Sequence, residues 1–507
     1  MFLKITTKKY GGKAYRHASL AETIRINGKV VQKHIKNLGA LNTAEDEKKA
    51  KQLIDTVRQG KKLVILDEVN EKILEYGVRL AVKSIWQSMS IPQFFSAENT
   101  KNDINQVLYM LITHRLHNYG SRNISEREGC RWIKDEAYTT LKTIDLHQFY
   151  RSLFILFSKK ESIEKHLCKT LNNKKEILFY DLTSSYVEGS YDDSEIIDYG
   201  YNRDKKKGKQ QLVIGLLLAE GLPLAHKVWE GNTSDKTTLQ DAVAQAKELG
   251  ITNFVFVADR GLITDKNILW LEDQRLEYII ATKRRNDKLI SSLMEKNISE
   301  KVTKVHEDAN RTYYLCYNEE VAKEQINKIN EIRKRIEEKI NSIKNPTEHR
   351  ILEAAGKAKR LFTFSFENGF SYSINKAVWD YENKIAGKYI LVTNNHKLDK
   401  EQICSTYKEL TDVEQCFGEL KHFEDMRPFF HKSDDGLKAH IFLCVLALLI
   451  ERMIKKKVKD ASQRKVITEL KKIKLCKVKD NYVRTDLTQL QKDILCQLGI
   501  EVPPKVM

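Results

Sequence analysis

The eight cysteines, scattered from Cys130 to Cys496, form no Cys-x-x-Cys pair, which argues against a zinc ribbon. They follow no secretory disulfide framework, so free thiols and a reducing cytosol are expected. No apolar run reaches membrane length. The longest, Ile441 to Ile450, begins beside Lys438 and His440 and reads as a buried helix. The first ten residues lack the apolar core of a signal peptide. There is no convincing internal repeat, no low-complexity linker and no evident aromatic RNA-binding pattern. Acidic charge is also in short supply: 69 Asp and Glu against 87 Lys and Arg leave a net charge of +18. That surplus fits a nucleic-acid partner, or a lysine-rich surface without one.

The 507 residues exceed one ordinary domain, and 41% hydrophobic residues suffice for real cores. Tyr15 to Leu38 reads as a β-hairpin turning at Asn27-Gly28, with Arg16, Arg25, Lys29, Lys33 and Lys36 making it basic. Two readings stay open: a ribbon that enters a DNA groove, or a sheet edge protected by lysines. Helix-like, charged sequence follows from Ala44 to about Glu75. Helical spacing dominates from Asp103 to about Leu171, with Arg115, Arg122 and Arg127 near a break at Gly120-Ser121.

The pattern changes at Glu176. Ile177 to Tyr180, Gln211 to Ala219, Leu222 to Trp229, Phe254 to Ala258 and Leu276 to Ala281 read as strands. A helix is expected over Thr237 to Leu249. Antiparallel hairpins followed by a parallel crossover predict an α/β fold, a mixed sheet with flanking helices. From Ser291 to Ala386 an insertion interrupts it, expected to lie outside the sheet, with isoleucines at helical spacing from Ile326 to Ile343 and a turn at Asn345-Pro346. Core-like sequence resumes at Lys388 to Thr393, followed by one helix from Lys400 to His422. The expected segments are 1–75, 76–172, 173–290, 291–386, 387–455 and a helical tail, 456–507.

Asp181 and Asp259 each follow a strongly apolar strand, at the sheet edge where sites gather. Acids beside an apolar sheet are costly unless paired or bound to a metal, and carboxylate oxygens suit Mg²⁺. They are also common as caps and turn residues. Tyr407, Glu414 and Lys421 recur every seven residues, nearly two helical turns, and so share one face. Leu410, Val413, Phe417 and Leu420 form the apolar stripe that docks this helix on the sheet.

Tyr180 to Ser185 resembles the first-aspartate motif of DDE insertion-sequence transposases, and Ala258 to Leu262 is similar to their second-aspartate motif. Tyr407 to Lys421 resembles their Tyr-Arg-Glu-Lys signature, with Leu410 where Arg is expected. Gln211 to Ala219, Gly231 to Asp235 and Arg427-Pro428 also look family-like. The resemblance spans roughly Glu176 to Ile450 and implies an RNase H-like core in two parts, 173–290 and 387–455. It implies a DNA transposase that cleaves transposon ends and transfers strands, with Asp181, Asp259 and Glu414 holding two Mg²⁺ or Mn²⁺ ions. Tyr407, Lys421 and Arg427 would contact DNA; Arg260 is either a phosphate contact or a turn residue in a salt bridge. Trp379 is either a core tryptophan or a platform for an everted base. The implied partners are terminal-repeat and target DNA and a second copy in the synaptic complex, in the prokaryotic cytoplasm and with no membrane. The alternatives are an RNase H-like nuclease without strand transfer and a non-catalytic, transposase-derived DNA-binding protein.

Overall fold

The strand that carries Asp181 lies inside an eight-stranded sheet, third from one edge. The computed structural model describes residues 2–10, 13–26, 29–58, 69–97, 103–118, 124–141, 145–171, 177–203, 206, 208–235, 237–259, 261, 264–282, 288–298, 300–308, 310–367, 369–422, 426–427, 429–478 and 481–507. Asn27-Gly28, the Gly120-Ser121 break, Arg260 and Pro428 lie outside these residues.

Two units are compact by themselves: residues 1–74 with 474–486 and 503–507, and residues 75–473 with 487–502. In the first, β1 (Phe2–Tyr10), β2 (Lys13–Ile26) and β3 (Lys29–Ala40) form an antiparallel sheet, so the expected hairpin gains a third strand. Arg16, Arg25, Lys29 and Lys33 are exposed along it. A helix, Ala44–Arg58, follows. The expected helical character up to Glu75 fails at β4 (Val69–Glu75), which is a strand.

In the second unit, β5 (Ile177–Tyr186), β6 (Gln211–Ala219) and β7 (Leu222–Glu230) form an antiparallel meander. β8 (Val255–Ala258) and β9 (Glu277–Ala281) then add parallel strands on the other side of β5. Numbered by chain order, these five strands stand 3-2-1-4-5, the RNase H-like arrangement. Every residue of β6 is buried, as expected for a strand covered on both faces.

The insertion is partly inside the sheet, which corrects the expectation. β10 (Val302–Glu307) and β11 (Thr312–Tyr317) pair antiparallel and extend it at the edge. Strand-like alternation there is weak, and edge pairing needs only one apolar face. The long helix, Glu319–Asn341, does form. Its Ile336 and Ile340 are buried against Ile351, Ala355, Leu361 and Phe362, a satellite core that also holds the hairpin of β12 (Phe362–Ser365) and β13 (Ser371–Ile374). β14 (Lys388–Thr393) returns to the sheet between β9 and β11.

The helix Asp434–Lys457 is buried along nearly its whole length and packs against β7 and the helix Leu146–Ser158. The tail is not purely helical: β15 (Lys474–Val478) and β16 (Asn481–Arg484) pair with each other, and β15 lies next to β4. No helix is long and apolar enough to cross a membrane among the described residues.

Candidate active site

β5 and β8 run parallel with Ile177 opposite Val255 and Tyr180 opposite Ala258. Asp181 and Asp259 are the next residue in each segment, Asp259 just past the end of β8, so the register brings both acids to the same end of neighbouring strands, whose spacing is roughly 4.8 Å. Side chains alternate between faces, so both acids share the face of Phe179 and Val257. Those two residues belong to the core cluster that includes Ile403, Val413, Phe417 and Leu420. The helices bearing Tyr407 and Glu414 therefore cover the face onto which the aspartates open. β5 does not stop at Asp181, as expected, but runs on to Tyr186 because its pairing with β6 continues, Asp181 opposite Leu216.

The single helix expected from Lys400 to His422 is interrupted. Lys400–Lys408, started by a capping box of Asp399 and Gln402, ends at Glu409, and Leu410–His422 follows. Tyr407 and Glu414 thus stand on different helices, and the seven-residue argument holds only from Glu414 to Lys421. Tyr407 still reaches the acids: its hydroxyl donates to Asp259 Oδ1 at 3.2 Å. Leu410 is 6% exposed and part of the apolar stripe, and a leucine brings no charge to a phosphate.

The acids feel one another. Burial pushes the Asp181 carboxyl up to about 7; the Leu182 N–H and the Arg203 charge oppose the rise, and Asp259 and Glu414 add to it. Glu414 sits at an exposed helix position, yet its carboxyl is also raised, by partial burial first and by Asp259 second. Such a cluster of hard oxygen donors, held at a cost in the metal-free state, fits a divalent cation.

A tighter group of potential ligands lies elsewhere. Among the described residues, the one set of three whose donor atoms all fall within 4.8 Å is Glu126, His431 and His440, not the three acids. Arg115 occupies the place of a cation there, with Nη2 2.8 Å from Glu126 Oε1. That cluster is an ion-pair network clamping the segment before Asp434. The donor atoms of the three acids do not all fall within that distance of one another. A two-ion site does not require its outer ligands to share one small sphere.

The basic residues divide. Lys421 is buried, so it does not lie on a solvated helix face. The Arg427 guanidinium lies over the Tyr186 ring, 4.7 Å from its centroid. Arg260 lies outside the described residues. Trp379 is half-buried, and Arg333 stacks over it at 5.2 Å, so it is not a core tryptophan. Arg203 was not singled out from sequence. Its Nη2 pairs with Asp235 Oδ2 at 2.7 Å, and its charge acts on Asp181. The only sequence signal was its partner, Asp235, in the family-like stretch Gly231 to Asp235.

Residues 172–450, more than half of the chain, match the family model described as the transposase DDE domain. Residues 3–64 match the N-terminal domain of IS1634 family transposases. No curated protein matches the chain. Among solved structures, the chain is similar to a piggyBac transposase synaptic complex with hairpin DNA, at 9% identity and a TM-score of 0.41, with 78% of this chain and 76% of that one covered. The chain belongs to the DDE transposases, a family that generally works with divalent metal ions, and it is a DNA transposase of the insertion-sequence kind.

Proposed function

We propose that Asp181, Asp259 and Glu414 are the catalytic carboxylates, holding two Mg²⁺ or Mn²⁺ ions while transposon ends are cut and joined to target DNA. The observation that carries this is the β5–β8 register, which aligns the two aspartates beneath the helices of Tyr407 and Glu414. When bound, the metal pair supplies an activated oxygen nucleophile and neutralises charge on the leaving oxygen. The protein's own part is positioning. Tyr407 fixes the orientation of Asp259 through its hydroxyl. Burial of Asp181 keeps bulk water from competing for its oxygens.

Lys421 and Arg427 supply positive charge for the DNA backbone, with Arg260 beside Asp259 in sequence as a further contact. The partners are double-stranded terminal repeats, target DNA and a second copy of this chain in the synaptic complex. The spacing of Tyr407, Glu414 and Lys421 supports placement in the Tyr-Arg-Glu-Lys branch, with Leu410 as its departure. The six segments given from sequence serve as a working map, corrected at β4, β10, β11, β15 and β16.

Glu414→Gln tests the reading, since it keeps the shape and removes the charge a hard cation needs. Mg²⁺-dependent cleavage of a terminal-repeat duplex should be abolished while end binding stays nearly intact. Cleavage at the wild-type rate would remove Glu414 from the metal site.

A further inference from the structure

β11 pairs with β14 so that Cys316 stands opposite Tyr389. Opposed residues of an antiparallel pair share one face. The helix Lys400–Lys408 covers that face: Cys316, Ile403 and Cys404 belong to one core cluster, with Tyr389 and Tyr407 packed against it. The Tyr389 hydroxyl lies 3.5 Å from Cys404 Sγ, in hydrogen-bond contact. The Cys404 and Cys316 thiols hydrogen-bond each other. Two thiols and a phenol thus meet inside an apolar core.

This cluster is joined to the acidic site. Cys404 and Tyr407 are neighbours one turn apart on the same helix. The Tyr389 and Tyr407 rings lie 6.0 Å apart, and the Tyr407 hydroxyl donates to Asp259. A buried cysteine standing alone behaves as a small apolar side chain. This pair is different. The Cys316 hydrogen bond first, then the Tyr389 hydroxyl and the Lys408 charge, hold the Cys404 thiol below its ordinary range against the effect of burial. The thiolate is the reactive form of cysteine. Cys316 is fully buried and Cys404 is 5% exposed, so a small oxidant meets Cys404 first.

We infer that Cys316 and Cys404 are an oxidation site: under peroxide they close a reversible disulfide that draws the helix Lys400–Lys408 towards β11, loosens the hold of Tyr407 on Asp259 and slows cleavage. The effect on cleavage rests on the reading of Asp259 as a catalytic acid. The Cys404 thiolate attacks one peroxide oxygen, the O–O bond breaks, and the other oxygen leaves as water after taking a proton; Cys404 becomes a sulfenic acid. The Cys316 sulfur then attacks the Cys404 sulfur, expelling a second water and forming the S–S bond. Two thiols lose two electrons to one peroxide. A disulfide holds its sulfurs at about 2.05 Å, closer than hydrogen-bonded thiols, so closure requires the helix and the strand to approach. In a reducing compartment such a bridge is transient, which suits a sensor and not a brace.

The test treats the reduced full-length chain with hydrogen peroxide, blocks the remaining thiols, and maps disulfide-linked peptides by mass spectrometry. Part of each sample is assayed for Mg²⁺-dependent cleavage and for binding of a terminal-repeat duplex. Wild-type protein should yield the Cys316–Cys404 cross-link. Its cleavage should fall about tenfold, as expected when one hydrogen bond to Asp259 is lost, while binding holds. Dithiothreitol should remove the cross-link and restore the rate. Cys316→Ser should cleave like wild type when reduced, give no cross-link and keep its activity through the same treatment. The cross-link is read in wild-type protein, so that arm stands even where a serine disturbs the core. Peroxide-treated wild type without the cross-link overturns the inference, and so does a cross-linked protein that cleaves at the reduced rate. A Cys316→Ser protein that loses as much activity to peroxide as wild type also overturns it. The cross-link and its effect on cleavage, together with a Glu414→Gln protein that still cleaves, would instead overturn the metal-site reading.

Discussion

At the scale of single residues, Asp181 carries the clearest consequence. Its carboxyl lies near 7 in the folded, metal-free protein, against an ordinary value of 3.8. The folded state therefore binds a proton more readily than the unfolded chain. Stability falls as pH rises from about 4 to 7 and levels off above. Asp181→Asn removes that penalty. In the presence of chelator it should be more stable than wild type at pH 8, by on the order of 2–4 kcal/mol, with the gain gone below pH 4. Denaturant melts across pH would show it; a gain independent of pH would mean the carboxyl is not held near 7. Tyr407→Phe makes the complementary point. It removes one hydrogen bond to Asp259 without emptying the site, so cleavage should fall about tenfold while end binding holds. Unchanged cleavage would show that Asp259 needs no such support. The three acids could be proposed from sequence because Asp181 and Asp259 follow apolar strands and Glu414 lies beside an apolar helix stripe, patterns that the chain displays locally. Arg203 was not, because what makes it notable is a partner 32 residues away.

At the scale of elements, patterns decided by one strong periodicity were readable and those decided by neighbours were not. The strands β5 to β9 are short apolar runs, and their type and order followed from sequence. The strands β4, β11 and β15 each pair with a strand distant in the chain, and β10 and β16 are edge strands formed against β11 and β15, so a local window records little of them. The break at Glu409 is likewise not marked in the local pattern; both helical stretches pack on the sheet. The Glu126 cluster is another such element-level device. It ties the helix Glu126–Asp135 to His431 and to His440 of the helix Asp434–Lys457, with Oε1 2.8 Å from His440 Nδ1 and Oε2 3.2 Å from His431 Nε2. Burial pushes the Glu126 carboxyl up, but His440, His431 and Arg115 together hold it well below the usual carboxylate range. Its contribution is present above the unfolded value of about 4.5 and is lost as pH falls below that. Glu126→Ala leaves Arg115 and His440 buried without their anion, so it should cost about 3–5 kcal/mol at pH 7. The gap to wild type should narrow in acid. A constant gap from pH 7 to pH 3 would show that packing, not charge, accounts for the loss.

At the scale of the whole molecule, the net charge of +18 is divided between an N-terminal unit with its own sheets and a catalytic unit with its own core. The order of the central strands and the presence of an insertion could be read from the chain; the C-terminal strands of the first unit could not, since 474–486 lies some 400 residues from the strand it joins. This architecture makes the role of the N-terminal strands separable. Among the described residues β1 to β3 pair only with one another, whereas β4 lies next to β15. Deleting residues through Leu38 therefore removes an independent sheet and leaves the β4–β15–β16 sheet in place. The exposed Arg16, Arg25, Lys29 and Lys33 go with it, so both affinity and salt slope should fall on terminal-repeat DNA. The choice left open in the sequence, groove reader or protected edge, turns on specificity. A ribbon that reads a groove gives a footprint on the terminal repeats that disappears on deletion, while binding to unrelated DNA falls less. A protected edge gives the same modest loss on both DNAs and an unchanged footprint, and that outcome would remove the N-terminal sheet from end recognition.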